Sequence, residues 1–162
     1  MSVFREINGL PGHVLVIHAA VAFVPLLAVL AAAYGLLPRW RSRLGWAVAA
    51  LAVVTPIVTW VATESGEALE EALREKGYPP QILDQVHEHA EYGGTLLWFT
   101  VGLAVAALLL LLVTRNDDRV SRLPSWAPML LTVVVVVLGV ASLVYVYLTG
   151  DTGAEAVWGG IL

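Results

Sequence analysis

Four histidines stand out in a chain otherwise poor in groups able to do chemistry: His13, His18, His87 and His89. His18 is embedded in a long apolar run, about one and a half turns past its start at 3.6 residues per turn. An ionisable side chain inside a membrane span is costly, and it usually faces a bundle interior or a cavity. Three roles suit it: a haem or metal ligand, a proton-relay group, or a neutral imidazole hydrogen-bonded across a bundle. Its neighbours on the same helical face are Val14, Ala22 and Pro25, and the small Ala22 would leave room beside it. His87 and His89 are two residues apart, so a regular helix points them to different sides and one ion cannot take both. His89 lies nearer the following apolar run. His87 aligns at helical spacing with Glu91, Thr95 and Trp98.

His18 and His89 are therefore expected to face inward and to meet. Two imidazoles from facing helices are the axial ligand set of b-type haem. Ala22, Gly93 and Gly94 are small enough to line a slot for it. The alternative is a Zn, Fe or Cu ion held by His18, His89, Glu64 and Asp151, with His87 and Glu91 as substitute ligands. A third reading has no cofactor, with Glu64 a solvated helix end and Asp151 a turn residue. The chain has no Cys, which excludes disulfides, thiolate-held zinc or iron–sulfur centres and C-x-x-C-H haem attachment. H-x-x-x-H and E-x-x-H pairs, a Ser-His-Asp set, a phosphate-binding glycine loop and G-x-S-x-G are also missing, and no catalytic residue is identified.

Four apolar runs must position these groups: residues 14–37, 44–63, 92–114 and 126–149. None contains Lys, Arg, Asp or Glu. Each is about 20 residues or longer, which matches a hydrocarbon core about 30 Å thick. Only 14% of residues are charged, against about a quarter in soluble domains. The fold class is all-α: an integral membrane antiparallel four-helix bundle over residues 1–162, with one membrane domain and no soluble module. The first run, about 24 residues, is longer than the apolar stretch of a signal peptide, so it is expected to be a span. The net charge of −4 gives no basic footprint for nucleic acid.

Arg39, Arg41 and Arg43 crowd the loop between the first two runs, and Arg115, Arg119 and Arg122 the loop between the last two. The positive-inside bias makes these loops cytoplasmic, with N-terminus, C-terminus and the acidic loop 64–91 outside the cytoplasmic membrane. Trp40, Trp46 and Trp126 then mark the inner interface, and Trp60, Trp98 and Trp158 the outer one. In the outer loop, Ser65 is expected to cap a short amphipathic helix, Glu67 through Lys76, that Gly77 stops. Its stripe of Leu69, Ala72 and Leu73 suits a surface helix or a lid. Pro80 suits the first position of the next helix.

Several strings resemble one bacterial membrane-protein family, domain of unknown function 2231. They are Asn8-Gly9-Leu10-Pro11-Gly12-His13 leading into Val16-Ile17-His18, Thr63-Glu64-Ser65-Gly66-Glu67, His89-Ala90-Glu91-Tyr92-Gly93, and Gly150-Asp151-Thr152-Gly153-Ala154 with Val157-Trp158-Gly159. The resemblance spans essentially the whole chain. Many members carry Pro after the first His and a further His-Phe-Pro, where this chain has Val14 and Ala19-Ala20. Relatives fused to Rieske-type or cytochrome-type modules imply membrane electron transfer and a membrane or extracytoplasmic redox partner. The resulting expectation is a redox-type or ligand-binding membrane subunit with an outward-side histidine cluster. The rivals are a cofactor-free accessory membrane protein and a small ion or proton permease.

Overall fold

The computed structural model describes residues 6–7, 10–114 and 124–159. Arg5, Asn8, Gly9, Arg115, Arg119 and Arg122 lie outside them. Two short strands, β1 (Glu6–Ile7) and β2 (Leu10–Pro11), pair antiparallel with Glu6 opposite Pro11. Four helices follow: α1 (Gly12–Leu36), α2 (Arg41–Glu75), α3 (Pro80–Val113) and α4 (Ala127–Trp158). Each packs on its neighbour in sequence and α4 closes on α1, so α1 and α3 face each other diagonally. All four are long and apolar enough to cross a membrane, and the chain is a multi-pass membrane protein.

Each apolar run forms one helix, and Pro25 and Pro56 sit inside α1 and α2 without ending them. The expected short helix is helical but not separate. Nothing between Thr63 and Gly77 breaks the pattern, so α2 continues through residues 64–75 as one 35-residue helix. Ser65 is buried within it and donates its hydroxyl to the Ala62 carbonyl at 2.9 Å, which is not a cap. The helix does stop at Gly77, whose φ of +73° is left-handed backbone. There the Gly77 amide bonds the Arg74 carbonyl and the Tyr78 amide the Leu73 carbonyl, a Schellman arrangement. Pro80 then starts α3, where a missing amide donor costs nothing. Asp151 is likewise not in a turn, because α4 stays helical to Trp158.

Helix length decides the architecture. At 1.5 Å per residue, α2, α3 and α4 are about 50 Å long, well beyond a hydrocarbon core of about 30 Å. The 25-residue α1 is about 38 Å long. The excess lies at one end, in residues 64–75, 80–91 and 150–158, where three helices form a crown that α1 does not join. This is the histidine end. At the other end, Arg41 donates to the carbonyls of Tyr34 and Gly35 at 3.2 and 3.3 Å and closes the C-terminus of α1.

Between the two ends the bundle is close-packed. Leu27, Ala31, Leu103, Leu110 and Val135 have no exposed surface. Small residues bring backbones together: a Cβ on Gly139 would stand 3.5 Å from that of Ala28, and one on Gly35 only 2.7 Å from the Thr132 methyl.

Candidate functional site

The histidine end brings two imidazoles together, but not the expected two. His13 and His89, on the diagonal helices α1 and α3, have ring centroids 5.9 Å apart and planes at 83°. His18 is exposed on α1, its Nδ1 bonded to the Val14 carbonyl of its own helix at 2.8 Å. The reason is helical phase. Five residues turn a helix by about 140° beyond a full turn, so His13 and His18 cannot share a face. The inward face of α1 is set by Ala20, Val24, Leu27 and Ala31, and His13 lies one heptad before Ala20. Ala22, expected beside the site, is exposed as well.

Each ring is held by the next helix in sequence. His13 donates Nδ1–H to the Ala62 carbonyl of α2 at 3.0 Å, with the Ser65 hydroxyl oxygen at 3.4 Å. His89 donates Nδ1–H to the Thr149 carbonyl of α4 at 2.9 Å, with the Thr152 hydroxyl oxygen at 3.4 Å. A glycine follows each hydroxyl and lets the ring lie against the helix. A Cβ on Gly66 would come within 3.2 Å of His13, and one on Gly153 within 2.9 Å of His89. Both histidines lie just outside the charge-free runs. Burial lowers the pKa of His13; the Ala62 bond opposes this and the nearby His89 adds to it. Burial also lowers the pKa of His89, against the bond to Thr149. Two neutral rings that donate through Nδ1 each keep a lone pair on Nε2. Metal-binding imidazoles are oriented in this way, with the second nitrogen donating to a carbonyl.

The pair borders a cavity of about 550 Å³ under the crown. Its wall is almost wholly apolar: Ile17 and Ala20 from α1, Leu69 and Leu73 from α2, Ile82 and Val86 from α3, Val157 and Trp158 from α4. The stripe of Leu69 and Leu73 is thus cavity wall, neither free surface nor a detached lid. The space exists because α1 stops at Gly12 while the other helices continue, and because Ala62, Gly66, Gly93, Gly150 and Gly153 present little side chain to it.

The other sequence candidates stay apart. His87 is on the crown surface, 3.4 Å from a Glu70 carboxylate oxygen that also accepts from Arg74 at 2.9 Å, and 3.8 Å from Glu91. Asp151 and Glu91 are exposed, and Glu64 is half-buried. Among the described residues no three His, Cys, Asp or Glu side chains gather to hold a metal ion. The expected set of His18, His89, Glu64 and Asp151 is therefore not assembled. What sequence reading missed was His13 and the two cradles, one for each ring. The signal was an acid–hydroxyl–glycine string that occurs twice, as Glu64-Ser65-Gly66 and Asp151-Thr152-Gly153.

The family model for predicted membrane protein DUF2231 matches residues 9–161. The chain belongs to the DUF2231 family. The matched segment takes in all four helices, both imidazoles and both glycine cradles, so the whole site lies within the DUF2231 region. No curated protein and no solved structure matches the chain.

Proposed function

We propose that this DUF2231 protein is a redox-type membrane subunit that holds one b-type haem between His13 and His89, on the outer side of the cytoplasmic membrane. The observation that carries this reading is an apolar cavity of about 550 Å³ bordered by two neutral, carbonyl-anchored imidazoles, around which no three-residue metal cluster gathers among the described residues. A bare Zn or Fe ion needs more donors than two, and an apolar wall does not supply them. A haem, which brings most of its own donors, would be held by His13 and His89 alone, within apolar walls suited to it. The volume falls within the range of about 300–1,000 Å³ usual for cofactor sites. The ring centroids, 5.9 Å apart, are close enough for both imidazoles to serve one bound group. Bound there, the iron would supply one-electron transfer. The protein's part is to fix two tautomers, keep both rings neutral, surround the group with apolar side chains and leave a short path to an extracytoplasmic or membrane redox partner. The outward placement rests on Arg39, Arg41 and Arg43 at the opposite end.

The test is the absorbance spectrum of protein purified from haem-replete cells, followed by reduction. A Soret band with sharp bands on reduction, lost in His13→Ala and in His89→Ala but kept in His18→Ala, is the expected result. A colourless protein carrying a stoichiometric metal would replace haem by an ion. A protein with neither, even after incubation with haemin, would leave the accessory-protein reading standing.

A further inference from the structure

We infer that the two helical hairpins, α1–α2 and α3–α4, are two copies of one unit related by a pseudo-two-fold axis along the bundle. On this inference Ser65–Gly66 and Thr152–Gly153 are equivalent positioning elements that hold His13 and His89 as a matched pair. It deepens the proposed function by naming what sets ring tautomer and orientation. Its evidence is independent of which ligand the rings take.

Three observations carry the repeat. The first is the register of buried positions in the first helix of each hairpin. The shift that carries His13 onto His89 also carries Ala20 onto Leu96, Val24 onto Thr100, Leu27 onto Leu103, Ala28 onto Ala104, Ala31 onto Ala107 and Tyr34 onto Leu110. All twelve of these core positions are buried. Residues repeat as well as burial, with Leu27-Ala28-Val29 matching Leu103-Ala104-Val105 and Phe23 matching Phe99.

The second observation is the same register in the second helices. The shift that carries Ala62, Ser65 and Gly66 onto Thr149, Thr152 and Gly153 also carries Val48 onto Val135, Ala52 onto Gly139 and Thr55 onto Ser142. These six lower positions are all buried. Helical burial recurs about every seven residues, so burial alone would allow a slip of one heptad. The histidines, the buried hydroxyls and the ring-supporting glycines fix the shift.

The third observation is the bonding. In each hairpin the first helix offers an imidazole. The second returns a carbonyl at 3.0 or 2.9 Å, a hydroxyl oxygen at 3.4 Å three residues on, and a glycine one residue later. Parallel repeats of this kind, related by an axis along the membrane normal, are an established way to build a membrane site between halves. Here the axis passes between the two rings, so each copy contributes one half of the site with the same nitrogen left free.

Histidine NMR of the full-length protein in nanodiscs, prepared without added cofactor and with nitrogen-15 in the rings, tests this directly. His13 and His89 should both show the neutral Nδ1–H tautomer. Gly66→Ala should move the His13 ring signals and Gly153→Ala those of His89, each without moving its counterpart's ring by more than a small fraction. Ser65→Ala and Thr152→Ala, which add no bulk, should cause smaller shifts with the same one-to-one assignment, and Thr152→Ser should restore the wild-type His89 signals. An Nε2–H tautomer in either ring would overturn the inference, as would a cradle substitution that leaves its own histidine unmoved or moves both equally. A colourless protein would end the haem reading yet leave these signals as described, so the two failures are separable.

Discussion

The two ends of this bundle use the same four helices and similar apolar residues, yet one is solid and the other hollow. Toward the arginine end, Leu27, Ala31, Leu103, Ala107, Leu110 and Val135 interlock with almost no exposed surface. At the histidine end an apolar cavity remains, bordered by the rings of His13 and His89. The difference lies in chain length and side-chain size, not hydrophobicity. One helix ends early, three continue, and Ala62, Gly66, Gly93, Gly150 and Gly153 present little side chain to the space between them. A hollow that is apolar yet edged by two tied imidazoles is the feature on which the proposed cofactor rests. The solid end is what keeps that hollow from collapsing.

The contrast can be broken by substitution, and the largest expected effect is on the rings themselves. His13→Ala or His89→Ala should abolish cofactor binding while the protein stays helical and membrane-inserted, read by pigment per protein and by circular dichroism. Next comes packing. Leu27→Ala and Leu103→Ala, at the solid end, should each cost about 2–5 kcal/mol of stability, whereas Leu73→Ala, on the cavity wall, should cost well under that range. Thermal unfolding in one detergent compares the three. Third is the cradle. Gly153→Ala crowds the His89 ring and should weaken cofactor affinity on the order of tenfold or more. Gly94→Ala points a methyl into open space and should leave cofactor affinity unchanged.

The smallest expected effect is on pH dependence. Burial lowers the pKa of both rings in the folded protein, so folding favours their neutral form. Above the ordinary imidazole value of about 6.5, the rings are neutral in both states and cost nothing. As pH falls below it, the unfolded chain binds more protons, so stability declines until the lowered folded values are passed. The cofactor-free protein should lose thermal stability on acidification through this window, and the His13→Ala/His89→Ala variant should lose less.

Most of the fold was legible because a membrane span is a one-dimensional signal: charge-free length set the four helices and Gly77 and Pro80 set the turn. The end of α2 was misjudged because a polar residue such as Ser65 reads as a cap when only its neighbours are considered. In the structure its hydroxyl serves a carbonyl three residues back and its oxygen faces a ring on another helix. For the site, His89 and its end of the bundle were legible, while its partner was not. His18 drew attention by lying deep in an apolar run. His13 stood one residue before the apolar run and drew no role of its own. Phase against Ala20, Val24 and Leu27 distinguishes them, and that phase is visible only once the inward face of α1 is known.

The chain contains no cysteine, so one pair of introduced thiols can report the central claim that His13 and His89 form one site. A short thiol-specific cross-linker is applied to His13→Cys/His89→Cys and to His18→Cys/His89→Cys in membranes, and the linked peptides are read by mass spectrometry. An efficient intramolecular link is expected in the first variant and essentially none in the second. Linking through position 18 with position 13 unreactive would contradict it.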